Sequence, residues 1–133
     1  MKTIYYILIG IIGLILIFSG ILAWQQYSNY SAEVSGTARE EAAGKVVWQK
    51  LQDKEISCTN LNDGDFQVLG EYYMGQMMGS SHPSMNQLLK QRLGEVGENQ
   101  MHIAMGKRLS GCDISATYPQ GIGPMEMMRG CSF

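Results

Sequence analysis

Two stretches of this chain repeat one pattern, E-x-x-M-x-x-x-M-G. Glu71, Met74, Met78 and Gly79 stand in the first copy where Glu98, Met101, Met105 and Gly106 stand in the second. Methionines four residues apart share one face of a helix, so each copy offers a pair of thioethers in register. His102 lies inside the second copy, and His82 opens the segment between the two. Thioether sulfur and imidazole together suit a soft metal, above all Cu(I). The spacing therefore makes Met74, Met78, Met101, His102 and Met105 a candidate copper site, with His82 as a further candidate ligand. A second methionine group, Met125, Met127 and Met128, has the composition of a metal-collecting tail.

The same residues have a plainer reading. Methionine is an adaptable core filler, and a methionine stripe at helical spacing is ordinarily packing. On that reading His82, beside Pro83, is exposed or caps a helix, and His102 hydrogen-bonds across a bundle. Glu71 and Glu98 lie on solvated helix faces or pair with Lys107 or Arg108. The chain is then a structural or protein-interaction module of the cell envelope. Its partner is another envelope protein or a second copy, met through its surface or a methionine-lined groove.

Other chemistries find less support. Two histidines give no Ser-His-acid set above chance, and Gly106-Lys107 lacks the remaining residues of a phosphate loop. Around Gly64 a calcium loop would need ligands at Leu61 and Gly70, so that reading fails. There is no C-x-x-C-H attachment for haem; a non-covalent haem held by His102 and a methionine is the remaining form. The net charge of −2 leaves no basic stripe for nucleic acid. Nothing points to an enzyme.

The elements that must position these residues are helical. Thr37 and Glu40 form a capping-box pair before the helix formers that run to Glu55, with Val47, Trp48 and Leu51 as a narrow apolar stripe. Asn62 and Asp65 cap a helix from Asp63 to Met78, with Phe66, Leu69, Gly70, Tyr73 and Met77 on one face and Gly79 ending it. Pro83 opens a helix carrying Met85, Leu88, Leu89 and Leu93 and ending near Gly94. A last helix, from about Gly97 to Ser110, aligns Met101, Ala104, Met105 and Leu109. After Cys112, Pro119, Gly121, Gly123 and Pro124 predict an extended, flexible tail.

Ile4 to Trp24 carries no charge and is long enough to cross a bilayer, with Tyr5, Tyr6 and Trp24 at its ends. The competing reading is a cleaved signal peptide, with Ala23 at the cut; such peptides have an apolar region of about 7–15 residues. Lys2 before the span favours a cytoplasmic amino terminus and an external domain. Cys58 and Cys112 have no zinc spacing, and outside the cytoplasm such a pair reads as a disulfide. Cys131 is left over. The expected fold is all-α: a transmembrane helix over 4–24, a polar stalk over 25–36, an extracytoplasmic helical hairpin or bundle over 37–112 closed by the disulfide, and a Gly/Pro/Met tail over 113–133.

The run from Leu69 through Gly79, then Ser81-His82, Met85-Asn86, and Met101-His102 through Met105 to Cys112 resembles a group of short membrane-anchored bacterial proteins. They are typical of small-genome lineages and carry a Met-rich, Cys-bracketed helical domain. The similarity covers roughly Trp48 to Cys112. It implies an anchor and a helical, Cys-bracketed domain, and nothing catalytic.

Overall fold

A computed structural model describes residues 2–119. The described residues are helical with no strand: α1 (Lys2–Gln52), α2 (Asp63–Met78) and α3 (His82–Leu109), with short 3-10 turns at Cys58–Asn60 and Gly79–Ser81. They divide into two compact units, 1–34 and 35–133, of which the second holds the candidate site.

In the first unit α1 is long and apolar enough to cross a membrane. Its large side chains face outward: Leu14, Leu16, Phe18 and Trp24 are each about two-thirds exposed or more. The hydroxyl of Ser19 donates back to the carbonyls of Ile15 and Leu16 at 2.9 and 3.0 Å. The one hydroxyl in the stretch from 7 to 23 is thereby satisfied within the helix, as a membrane span would require.

The segment expected as a stalk, 25–36, is helical throughout, and no helix begins at Thr37. Thr37 is buried inside α1, and its hydroxyl accepts from Asn86 Nδ2 at 3.3 Å instead of capping an amide. The polar, Ser- and Tyr-rich composition there suggests a stalk, but neither residue interrupts a helix as Pro would. The apolar run before them and Ala38, Arg39, Glu40, Glu41 and Ala42 after them propagate the helix through. It ends beyond Gln52, where Lys54 turns left-handed at φ 58° and the Glu55 amide reaches back to Lys50.

Helix α2 begins as its sequence predicts. The Asn62 side chain accepts from the Gly64 and Asp65 amides at 2.8 and 3.2 Å, and Asp65 accepts from the Asn62 amide at 2.9 Å. Gly79, at φ 54°, ends it. Helix α3 has Pro83 in its first turn and is broken at Gly94 (φ 73°, ψ 171°), which separates the two helices expected there.

Helices α2 and α3 run antiparallel after that kink, and glycine sets their separation. A Cβ on Gly70 would lie 2.0 Å from the His102 carbonyl oxygen, and one on Gly106 would lie 1.9 Å from that of Phe66. No side chain fits either crossing. Gly44, which looks like a weakness in α1, is the matching contact against the Val68 backbone. The core gathers Met74, Met85, Leu89, Met101 and Met105, with Tyr73, Met78, Leu88, Leu93 and Tyr118 packed around them. Met77 and Leu109, expected on core faces, are about half exposed.

Cys58 and Cys112 form a disulfide that joins the approach to α2 with the end of α3. The first part of the expected flexible tail folds back: Arg108 donates to the Ala116 carbonyl at 2.9 Å and lies over the Tyr118 ring. Cys131 and the tail methionines Met125, Met127 and Met128 lie outside the described residues.

Candidate metal centre

Three buried stripes meet beside the methionine core. On α2, Glu71 precedes Met74 by three residues; on α3, His82 precedes Met85 and Asn86, and Glu98 precedes Met101 and His102. A helix rotates 100° per residue, so three steps return a side chain to within about 60° of its start. Once the methionines face inward, the polar residues one turn earlier must do so too. Glu71, His82, Asn86 and His102 are at most 1 % exposed, and Glu98 is 3 % exposed.

Glu71 stands at the centre. One carboxylate oxygen lies 3.1 Å from His82 Nε2 and the other 3.1 Å from His102 Nδ1. Asn86 Nδ2 donates to the first oxygen at 3.1 Å. Glu98 approaches His102 Nδ1 at 3.4 Å from one turn earlier on α3. On the outer side, His82 Nδ1 lies 2.5 Å from the Glu41 carboxylate, supplied by α1.

Directions matter as much as distances. His82 Nε2 and both nitrogens of His102 are buried without a hydrogen-bond partner among the described residues. His82 Nε2 and His102 Nδ1 approach Glu71 closely, but without hydrogen-bond geometry. A buried polar atom left so carries a desolvation penalty of about 1–3 kcal/mol. Glu71, His82 and His102 each offer one ligand atom, and the three atoms lie within 4.8 Å of one another.

The charges follow from this enclosure. Burial works to push the His82 pKa down, but the adjacent Glu71 and Glu41 carboxylates outweigh it and hold the pKa above the ordinary value. Burial works to raise the Glu71 pKa, and the two histidines with Asn86 more than reverse it. His102 is dominated by burial, only partly offset by Glu71, and falls to about 4. The surroundings thus favour the ionised form of Glu71, the charged form of His82 and the neutral form of His102.

A pH dependence of stability results. The unfolded chain protonates His102 near pH 6.5 and the folded one only near 4, so stability falls as pH drops through that interval. The 2.5-unit gap corresponds to a loss of about 3 kcal/mol. The raised His82 pKa gives a contribution already complete below pH 6.5 and lost only as pH rises through the folded value. The lowered Glu71 pKa gives one complete above 4.5 and lost below. Between 6.5 and 4.5, then, His102 sets the slope among these three groups. Denaturant unfolding of the chain in chelator should show the decline, and His102→Gln should flatten it. An unchanged slope in that variant would remove His102 as the cause.

Of the residues singled out in the sequence, His102 and His82 come together here. Met74, Met101 and Met105 lie in the buried apolar cluster, and Met78 packs at its edge. The expectation of an exposed or capping His82 is overturned by its complete burial, and that of solvated Glu71 and Glu98 by theirs. Lys107 instead pairs with Asp63, at 2.7 Å. Glu41 had no signal in isolation, and Thr37 and Asn86 had none for this centre. With Gly44 and Trp48, Thr37 and Glu41 follow the spacing i, i+4, i+7 and i+11, which marks one face of α1.

The geometry defines a helical bundle with a buried carboxylate–histidine centre. No family model, curated protein sequence or solved structure matches the chain.

Proposed function

We propose that this is a membrane-anchored metal-binding protein whose bundle, outside the cytoplasm, holds one divalent transition-metal ion through Glu71, His82 and His102. The observation that carries the reading is a buried carboxylate between two imidazoles whose facing nitrogens have no hydrogen-bond partner. Two imidazole nitrogens and one carboxylate oxygen are a donor set for zinc or ferrous iron, metals of intermediate softness. Three protein ligands leave at least one coordination position for water or a bound molecule. The exposed apolar side chains of α1 support the anchor. Lys2 and the disulfide support the external orientation.

The methionines give a second reading, because Met74, Met101 and Met105 are gathered in one cluster. There Cu(I) would be held by thioethers together with His102. One experiment separates the two. The full chain, stripped with chelator in detergent, is titrated with Zn²⁺ and, under reductant that spares the disulfide, with Cu(I). The first reading expects one Zn²⁺ per chain, lost in His102→Ala and kept when Met74 and Met101 are both changed to Leu. Cu(I) uptake that disappears in the methionine variant, without zinc uptake by the parent, would establish the second. Uptake of neither ion beyond the His102→Ala control would leave the polar cluster as packing.

A further inference from the structure

Resting on the metal reading, we infer that Glu41 is a positioning residue of the centre: it fixes which nitrogen of His82 is the ligand. A neutral imidazole has one N–H and one lone pair, and the hydrogen bond made by one nitrogen decides the role of the other. A carboxylate oxygen accepts, so at 2.5 Å from Glu41 it is Nδ1 of His82 that carries the hydrogen. In the neutral ring that binds metal the lone pair is then on Nε2, the nitrogen that faces Glu71 at 3.1 Å, and the proton lost from the charged ring is the one on Nε2. Glu41 thereby both chooses the tautomer and strengthens the donor, as carboxylate partners of metal-bound histidines do.

The bundle is shaped to hold Glu41 there. A Cβ added at Gly75 would lie 2.4 Å from its carboxyl carbon and 2.6 and 2.7 Å from its oxygens. The glycine is a notch in α2 into which the α1 carboxylate fits. One turn earlier on α1, Thr37 receives a hydrogen bond from Asn86, which also donates to Glu71. One face of α1 thus supports two of the three ligands from outside. Glu41 itself is one-third exposed, unlike any of the three.

The test uses the full chain in detergent, with ¹⁵N-labelled histidine and Zn²⁺ as the probe. In the parent protein His82 should be zinc-bound at Nε2, with a protonated Nδ1 whose resonance is shifted far downfield. Glu41→Ala should weaken zinc binding by about 10–100-fold and abolish that downfield shift, while Glu41→Gln, which keeps an acceptor, should fall between. Gly75→Ala should act in the same direction with Glu41 intact, because the methyl meets the movable end of a side chain and not backbone. A purely structural Glu41 would change unfolding without moving the His82 resonances. Coordination of zinc through His82 Nδ1, or unchanged zinc affinity in both Glu41→Ala and Gly75→Ala, would overturn the inference alone. Failure of the parent to take up zinc would overturn the metal reading beneath it.

Discussion

Glu71→Ala is expected to abolish zinc uptake and also to destabilise the metal-free bundle by about 3–5 kcal/mol, the range for removing one member of a buried charged pair. The carboxylate is 1 % exposed and in contact with His82, His102 and Asn86 together. Its loss removes the inner counter-charge that favours the charged form of His82 and opens a void among buried groups. Glu71→Gln separates the two effects. It preserves volume and an acceptor for Asn86, so it should recover part of the stability while binding zinc far more weakly. Zinc at a hundredfold excess over its dissociation constant should stabilise the parent by about 2.7 kcal/mol, and neither variant should show that gain. Denaturant unfolding with chelator and with zinc checks all three statements. A Glu71→Ala protein within about 1 kcal/mol of the parent would mean that the carboxylate is not the organising charge of the core.

That centre was only half legible in the sequence. The repeat drew attention to the right two segments and to His102. It did so through methionine, whose thioethers suggest soft-metal chemistry, and the glutamates beginning each copy were assigned to solvent. The assignment contradicts the helical period: a glutamate three residues before a buried methionine shares its face. Charge argued for exposure and periodicity for burial, and periodicity prevails because the two histidines and Asn86 surround the buried carboxylate. His82 followed the same pattern, since Met85 and Leu89 lie on its stripe and are buried. Neither histidine could be paired with Glu71 before the crossings of the helices were known. Those crossings rest on Gly44, Gly70 and Gly106, whose meaning depends on the backbone opposite.

Local signals were read more faithfully than long-range ones. The Asn62 cap, the stop at Gly79 and the break at Gly94 follow from residues within a few positions, and each is in the structure. The continuity of α1 through 25–36 was missed because the Thr37–Glu40 pair reads locally as a helix start. Thr37 shows why: its oxygen answers a donor 49 residues away, and a capping motif read locally cannot contain that partner.

Loss of the disulfide should destabilise the bundle by about as much as loss of Glu71, yet leave the centre intact. Cys58 and Cys112 are 54 residues apart, and closing a loop of that length restricts the unfolded chain by about 4 kcal/mol on the entropy model. The neighbouring Lys107–Asp63 pair cannot replace it, because it is partly exposed on both sides and such pairs contribute under about 1 kcal/mol. The bond joins the entrance of α2 to the exit of α3. Glu71 lies eight residues into α2 from Asp63, about 12 Å along the axis. Between them, the Phe66–Gly106 and Gly70–His102 contacts hold the two helices in register without the cysteines. The double variant Cys58→Ser, Cys112→Ser should therefore unfold at much lower denaturant while still taking up one zinc ion per folded chain. Saturating zinc should restore about 2.7 kcal/mol at a hundredfold excess. A folded double variant that no longer bound zinc would show instead that the clamp, and not the glycine crossings, sets the geometry of Glu71 and His102.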